Sequence, residues 1–325
     1  MATGIGVVVI GRNEGPRLER CLISLIGSAQ KVVYVDSGST DNSVQMARKL
    51  GVEVVELDMT IPFTAARARN EGFARVQQLL PTMRYVQFVD GDCEVVGTWL
   101  PQAQAFLDAR PDVAVVCGRR RERFPQRSIY NFLCDREWDT PVGEAKACGG
   151  DALMRADAFA AASGYRADLI AGEEPELCVR LRASGWKVWR LGEEMTLHDA
   201  AMTRFKQWWQ RSMRGGYAFA EGAFLHGAAP EQHWLRESRR AWFWGLGIPL
   251  AAVVASLILG WFGLLLLLIY PVQVMRLARR GDGSPRENWL LAFFLVLGKF
   301  PEMVGQVKFL LSRIVGGKTA LIEYK

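Results

Sequence analysis

The sequence predicts an α/β protein with a mainly parallel sheet, followed by an apolar, membrane-associated helical region. Over the first ninety residues, short β-branched runs alternate with amphipathic helical segments, which is the pattern of β-α-β units. Polar turns follow each of these strands, at the edge where parallel sheets collect ligands. The third observation is a run of 34 residues, 242–275, that contains no charged side chain.

The elements of the first part are assigned from their periodicity and from their start and stop signals. Continuous apolar runs indicate strands that are buried on both faces, and Pro16 and Gly51 mark a helix start and a helix stop. The predicted strands are 5–10, 31–36, 52–57 and 84–90, and the predicted helices are 15–28, 39–51 and 63–80. From residue 113 the pattern is less regular, with a helix at 174–185 and a strand at 186–191.

The charge and the cysteines exclude some classes of protein. The formal net charge is +6, but the basic residues form no long run with interleaved aromatics, so we expect no nucleic-acid partner. The six cysteines show no C-x-x-C pairing, which indicates reduced thiols in a cytosolic compartment. The N-terminus lacks a basic n-region, and we expect no signal peptide.

The apolar run 242–275 is too long for one membrane span. A straight helix of that length would be about 50 Å long, against roughly 30 Å of hydrocarbon, and Gly260 and Gly263 offer a break. Both flanks are basic, which predicts a hairpin with both ends in the cytoplasm, while a buried pair of core helices is the alternative. The flanking arginines are Arg236, Arg239, Arg240, Arg276, Arg279 and Arg280.

Several polar residues at the predicted strand ends each allow two interpretations. Asp36 in "VDSGSTD" fits a nucleotide pocket or a β-α turn, and "DGD" at Asp90 and Asp92 fits a divalent cation or an acidic turn. Glu173 and Glu174 fit a general base or a favourable charge at a helix start. A basic stretch, "GRRRERF" at 118–124, fits a diphosphate contact or an exposed loop.

Taken in order, seven motifs resemble those of one family. "VVVIGRNE", "VDSGSTD", "ARARNEG", "FVDGDCE", "GGDALMR", "GEEPELCVRL" and "LHDA" are similar to the motifs of a family 2 glycosyltransferase with the GT-A fold. The resemblance covers residues 5–200, and its specificity comes from the order and spacing of the motifs. It implies a nucleotide-diphospho-sugar transferase fold with a Rossmann-like, mainly parallel sheet.

The resemblance implies a nucleotide site at the first two strand ends. Arg12 and Glu14 would lie at the nucleotide edge, with Glu14 facing the base, and Asp36 matches the nucleobase-binding aspartate. Arg69 would lie near the base or the diphosphate, although Arg67 is an alternative in that role.

The resemblance also implies a metal and a general base. Asp90 would contact ribose, and Asp92 would hold Mn²⁺ or Mg²⁺ on the diphosphate, with His198 completing the metal site. The loop that faces the donor sugar and the acceptor is Gly149, Gly150 and Asp151. Glu174 falls in the position of the base, but the family usually has Glu-Asp there, which leaves the choice between Glu173 and Glu174 open.

The resemblance implies metal-dependent, inverting transfer of a sugar from a nucleotide-diphosphate donor, with uridine as the base expected for the family. The apolar segment favours a lipid-linked or glycan acceptor in surface polysaccharide synthesis, on the cytoplasmic face of the inner membrane. The alternatives are a membrane-tethered binding protein without catalysis, a nucleotidyltransferase, which would need a lysine in "IGRNEGPR", and a processive synthase, whose Q-x-x-R-W motif is not matched at 207–211.

The predicted organisation has four parts, and the sequence predicts no oligomeric state. Residues 1–204 form the GT-A domain, 205–241 connecting amphipathic helices, 242–275 the transmembrane hairpin and 276–325 a basic amphipathic segment.

Overall fold

The computed structural model describes residues 4–315, which divide into two compact units between Thr203 and Arg204. Residues 1–3 of the predicted first domain and 316–325 of the predicted C-terminal segment lie outside the described residues. The two units are described separately.

The first unit is built around one mixed sheet with helices between its strands. Its strands are β1 (Ile5–Gly11), β2 (Lys31–Asp36), β3 (Glu53–Glu56), β4 (Tyr85–Asp90), β5 (Cys93–Val95), β6 (Val113–Glu122), β7 (Gly143–Ala145), β8 (Ala152–Arg155) and β9 (Lys187–His198). Its helices are α1 (Pro16–Leu25), α2 (Ser43–Lys49), α3 (Ala65–Leu79), α4 (Trp99–Ala109), α5 (Ile129–Glu137), α6 (Ala156–Ala161) and α7 (Glu173–Ala183).

The sheet has the order β3-β2-β1-β4-β8-β6-β9-β5. Strand β7 pairs with the first residues of β9, 188–190. The pairs β1–β2, β1–β4, β2–β3 and β6–β9 are parallel, whereas β8 runs antiparallel to both of its neighbours. The central strands are buried on both faces, as their continuous apolar runs predict. The predicted α/β class with a mainly parallel sheet is therefore confirmed.

Two predicted boundaries in the first unit are wrong for identifiable reasons. Helix α2 begins at Ser43 and not at 39, because residues 37–42 remain in the loop that Asp36 organises. The strand predicted at 186–191 extends to His198, because its second half pairs with β5 and with the end of β6.

The stretch 118–124 is not an exposed loop for most of its length. Strand β6 runs through Glu122, so Arg119, Arg120 and Arg121 lie in a strand. Their side chains differ sharply in exposure: Arg120 is 15% exposed and Arg121 is 51% exposed. Arg119, at 13% exposed, resembles Arg120, because register shifts in the pairing of β6 with β9 on either side of Arg119 interrupt the alternation of the pleat.

The second unit is helical throughout the described residues. Its helices are α8 (Phe205–His226), α9 (Leu235–Trp242), α10 (Ile248–Leu259), α11 (Ile269–Ala278), α12 (Pro285–Leu297) and α13 (Lys299–Val315). Helix α8 packs on α13 through Gly216 and Gly305, where the backbone of the other helix lies so close that a Cβ would overlap it. Tyr217 and Phe309 meet edge to face beside this crossing, with ring centroids 5.4 Å apart.

Two stretches of the second unit, Leu235–Ala278 and Pro285–Val315, are long and apolar enough to cross a membrane, judged by length and composition alone. The first stretch reverses direction. The Tyr270 hydroxyl donates a hydrogen bond to the Trp244 carbonyl at 2.5 Å, although 26 residues of straight helix would separate them by about 39 Å. The reversal occurs at Gly260, which has a φ of +60° and begins a 3-10 segment, Gly260–Leu268, that packs back on α10.

We predict that Gly72→Ala destabilises the first unit although alanine favours helices. A Cβ on Gly72, within α3, would lie inside the van der Waals radius of Val8 and 2.8 Å from Val35 Cγ2. Overpacking of this kind costs about 1–3 kcal/mol, against roughly 1 kcal/mol of helix propensity gained. Thermal unfolding of the full chain should show a midpoint lowered by roughly 2–6 °C.

The matched control is Gly97→Ala, because a Cβ at that position meets no atom of the described residues within 4 Å. We expect this variant to change stability by less than about 0.5 kcal/mol. Equal midpoints for the two variants would show that α3 does not pack on β1 and β2 as described.

Candidate active site

Strands β2 and β4, which lie on either side of β1, present acidic residues at one edge of the sheet. In the parallel register Gly11 of β1 lies opposite Asp36 of β2, and Ile10 lies opposite Asp90 of β4. With about 4.8 Å between neighbouring strands, Asp36 and Asp90 are roughly 10 Å apart across β1. Asp92 follows two residues after Asp90, so the acidic residues predicted from the sequence share this edge.

Asp36 organises the loop that follows β2. Its carboxylate accepts hydrogen bonds from the Tyr34 hydroxyl at 2.7 Å and from the backbone N–H groups of Gly38 and Ser39 at 2.9 and 2.8 Å. Gly38 has a φ of +81°, a conformation that favours glycine. The Ser39 hydroxyl in turn accepts from the backbone N–H of Asn13, which joins this loop to the one after β1.

The other residues predicted for the nucleotide edge lie in the loop after β1. The guanidinium of Arg12 is exposed and lies over the ring of Phe63, 5.1 Å from its centroid. Glu14 is buried, with 9% of its surface exposed, and forms an ion pair with Arg17 at 2.7 Å. This loop therefore offers one exposed cation beside an aromatic ring.

Arg69 lies at the centre of a buried ion-pair cluster. One of its nitrogens, Nη2, is 2.8 Å from Asp90 Oδ1, and Nη1 is 2.8 Å from Glu173 Oε1 and 3.0 Å from Glu174 Oε1. Arg67, the alternative in the sequence, instead donates to backbone carbonyls of the loop before α3. Arg69 thus joins the end of β4 to the start of α7.

Arg120 is a second cation beside Asp90, and sequence reasoning missed it. Its Nη2 lies 3.2 Å from Asp90 Oδ2 and 2.8 Å from Asp151 Oδ2. Asp151 also accepts from the backbone N–H of Asp90 at 2.9 Å and from the Thr196 hydroxyl at 2.8 Å. Asp151 is wholly buried, so the expectation that it faces donor sugar and acceptor is wrong, and it positions Asp90 instead.

The two glycines before Asp151 occupy different environments. Gly149 is exposed, and a Cβ there would meet no described atom within 4 Å. A Cβ on Gly150 would lie 2.6 Å from Arg69 Nη2 and 2.8 Å from Asp90 Oδ2. Gly150 therefore leaves the room that the Arg69–Asp90 ion pair occupies.

Asp92 and His198 lie side by side although 106 positions separate them in the chain. The antiparallel pairing of β5 with β9 sets Cys93 opposite His198, and His198 Nε2 is 3.0 Å from Asp92 Oδ2. Both side chains are buried, and His198 Nδ1 has no hydrogen-bond partner among the described residues. The ring of Trp138, another residue that sequence reasoning missed, lies 4.7 Å from the imidazole, centroid to centroid.

The cluster shifts the pKa values of two carboxyl groups in opposite directions. Burial would raise the pKa of Asp90, but Arg69 and Arg120 outweigh it and lower that pKa below the ordinary value. Burial and the neighbouring Glu173 raise the pKa of Glu174 to about 7. The Glu174 side chain is 14% exposed and that of Glu173 is 5% exposed, so Glu174 is the more accessible of the two.

Glu94, which follows the Asp90–Asp92 pair in the sequence, is not part of a solvated turn. It lies in β5, and its carboxylate is paired with the guanidinium of Arg123 at the end of β6. Its role is to join two chain segments beside the site.

Comparisons with known proteins bear on this arrangement. Residues 6–159 match the model of glycosyl transferase family 2. Over 216 residues the chain is 27% identical to the succinoglycan biosynthesis protein ExoA of Rhizobium meliloti, covering 63% of this chain and 66% of that relative. The chain thus spans just under two thirds of the relative's length.

Two solved structures share the fold at low sequence identity. The mannosyltransferase PcManGT from Pyrobaculum calidifontis, in complex with GDP-Man and Mn²⁺, has a TM-score of 0.66 at 20% identity, covering 95% of this chain and 87% of that one. TarS 1–349 of S. aureus has a TM-score of 0.54 at 14% identity, covering 96% and 92%. The expected GT-A fold is confirmed, and the match of residues 6–159 to the model of glycosyl transferase family 2 supports the resemblance stated from the motifs.

Proposed function

We propose that this protein transfers a sugar from a nucleotide-diphosphate donor to a hydroxyl group of a membrane-linked acceptor. The single observation that carries the proposal is the row of Asp36, Asp90 and Asp92 along one sheet edge, with Glu174 tied to the same cluster through Arg69. A donor binds along such an edge, outside the carboxyl ends of the strands.

The donor nucleotide extends from the loop after β2 toward Asp92. The separation of roughly 10 Å between Asp36 and Asp90 suits a nucleoside, with the base near Asp36 and the ribose near Asp90. Arg12 and Glu14 flank the base from the loop after β1, and the exposed Gly149 permits close approach of the donor sugar.

The residues beside the expected diphosphate fit a divalent cation. Ligand atoms of Asp92, Cys93 and His198 lie within 4.8 Å of one another. His198 Nδ1 forms no hydrogen bond with the described residues, so one nitrogen of the ring is not used for structure. Burial raises the pKa of the Cys93 thiol, so Asp92 and His198 are the better ligands for Mn²⁺ or Mg²⁺. An ion held by Asp92 and His198 would neutralise negative charge on the leaving diphosphate. The similar fold solved with GDP-Man and Mn²⁺ supports this choice of ion.

Glu174 removes the proton of the attacking hydroxyl. A pKa of about 7 leaves half of the carboxyl groups ionised at neutral pH, which suits a general base. Glu173 is held by Arg69. Its negative charge raises the pKa of Glu174, because two neighbouring carboxyl groups resist double ionisation. We infer a single displacement with inversion at the anomeric carbon, in which the C–O bond to the acceptor forms as the bond to the diphosphate breaks.

We propose that the acceptor is lipid-linked and that the site faces the cytoplasm. The hairpin around Gly260 has arms of membrane-spanning length, and both of its flanks carry arginines, as the positive-inside rule requires of two cytoplasmic ends. The relative named for succinoglycan biosynthesis supports an acceptor in surface polysaccharide synthesis.

We predict that the purified protein hydrolyses one or more of a panel of UDP- and GDP-sugars in a reaction that requires Mn²⁺ or Mg²⁺. Asp92→Asn should lower this activity by about 10³-fold, because the neutral amide holds the cation poorly. Release of nucleoside diphosphate measures the effect. Glu94→Gln is the matched control, since Glu94 belongs to the same acidic stretch but pairs with Arg123. Equal activity of Asp92→Asn and the wild-type protein would remove Asp92 from the mechanism.

We predict that activity rises with pH through about 7, because Glu174 accepts a proton only when it is ionised. Glu174→Gln should lower the turnover rate about 10²–10⁴-fold and abolish this pH dependence, while the donor Kd changes little. A pH–rate profile beside donor titration by calorimetry separates the two effects. If Glu173→Gln removes the pH dependence and Glu174→Gln keeps it, the base is Glu173.

We predict that Arg120→Gln destabilises the protein and weakens donor binding, because it leaves the buried carboxylate of Asp151 without its cation. Breaking such a pair costs about 3–5 kcal/mol, seen as a lower unfolding midpoint. Arg121→Gln is the control, since the Arg121–Glu194 pair is exposed and contributes about 0–1 kcal/mol. Similar losses in both variants would contradict the role given to Arg120.

A further inference from the structure

A pocket in the second unit lies at the start of the long apolar stretch. Its volume is about 320 Å³, and it lies along one side of α9. The lining residues are Gln232, Leu235, Arg236, Arg239, Arg240 and Phe243. Three guanidiniums therefore border a cavity that also has an aliphatic and an aromatic wall.

The three arginines of the pocket form no ion pair with the described residues of the second unit. Among the described residues, Arg236, Arg239 and Arg240 have no acidic partner within ion-pair distance, and all three side chains are exposed. Glu237 on the same helix does not line the pocket. Like charges on adjacent turns repel one another, so this arrangement destabilises the isolated helix unless an anion is bound.

The pocket lies at the open end of the hairpin. Because Tyr270 bonds to Trp244, the two arms run antiparallel, and their arginine clusters fall at the end opposite the turn at Gly260. Trp242, Phe243 and Trp244 follow the pocket directly, and aromatic residues of this kind sit at the headgroup level of a bilayer. If the hairpin inserts as proposed above, the pocket would lie at the level of the lipid phosphates.

We propose that this pocket binds the phosphate-bearing headgroup of an anionic membrane lipid. The guanidiniums bind the phosphate oxygens, in the paired geometry that arginine forms with phosphate, and the apolar wall at Leu235 and Phe243 contacts the start of the lipid chain. The proposal rests on the membrane attachment put forward above, but it adds a second, non-catalytic ligand site with its own chemistry.

The test uses the full-length protein in neutral detergent micelles, titrated separately with phosphatidylglycerol, phosphatidylcholine and inorganic phosphate. Binding is followed by the tryptophan fluorescence of the protein. We expect tight binding of phosphatidylglycerol and weak binding of the other two, because the site needs both the negative phosphate and the adjoining chain.

The variant that tests the pocket is the triple substitution Arg236→Gln, Arg239→Gln and Arg240→Gln. It should weaken phosphatidylglycerol binding by about 100-fold, because each arginine beside an anionic surface contributes roughly fivefold. The matched control is Arg276→Gln, Arg279→Gln and Arg280→Gln, which removes the same charge from the other flank, outside the pocket. The control should lose roughly tenfold or less, whereas lysine at the three pocket positions should restore only part of the affinity, because an ammonium group does not form the paired contacts of a guanidinium.

Three outcomes would overturn the proposal. Equal losses of phosphatidylglycerol affinity in the pocket and control triple variants would show that the arginines act only by general electrostatic attraction and that the pocket is not a specific binding site. Phosphate binding as tight as that of phosphatidylglycerol would show a free-anion site. Equal affinity for phosphatidylcholine would show that headgroup charge is not recognised.

A separate measurement tests the proposed membrane attachment independently of the lipid pocket. Co-sedimentation with vesicles of pure phosphatidylcholine tests whether the hairpin inserts at all. Insertion without phosphatidylglycerol preference would refute the pocket and leave the membrane attachment standing.

Discussion

The site depends on the ion pairs that Asp90 forms with Arg69 and Arg120. Through these two guanidiniums the end of β4 is joined to α3, to the start of α7 and to β6, which are far apart in sequence. Arg69 is buried, and Asp90 and Arg120 are only partly exposed, so each charge depends on its partners remaining in place. The spacing of the site is therefore set by a closed set of buried charges, and Gly150 keeps the space in which they meet.

The same charges assign different roles to neighbouring carboxyl groups. Arg69 and Arg120 lower the pKa of Asp90 and keep it ionised. Glu174 shares Arg69 with Glu173, and its pKa is raised to about 7. A fixed anion and a carboxyl group that titrates near neutral pH thus lie on either side of one arginine. Environments that push the pKa values of nearby groups apart are a mark of acid–base chemistry.

Much of the fold and part of the site could be predicted because their signals are local. Apolar runs that end in "VD" and "VDGD" show where strands stop, and parallel strands bring those ends together. The meeting of Asp92 with His198 depends on β9 returning beside β5, and periodicity carries no information about that pairing. Arg120 was missed for a related reason: three consecutive arginines indicate a solvated segment, and only the strand pairing shows that the middle one is paired with Asp90 and Asp151.

The charge balance of the site also explains why a cation is expected there. Two guanidiniums, those of Arg69 and Arg120, lie among five carboxyl groups, and a donor diphosphate would add further negative charge. The five carboxyl groups belong to Asp90, Asp92, Asp151, Glu173 and Glu174. At an effective dielectric of about 20, two like charges 4 Å apart repel by roughly 4 kcal/mol, so the arginines alone do not make this edge attractive to a diphosphate. Both guanidiniums are already engaged by carboxylates of the chain, so a divalent cation would supply the positive charge that a donor diphosphate needs at this edge.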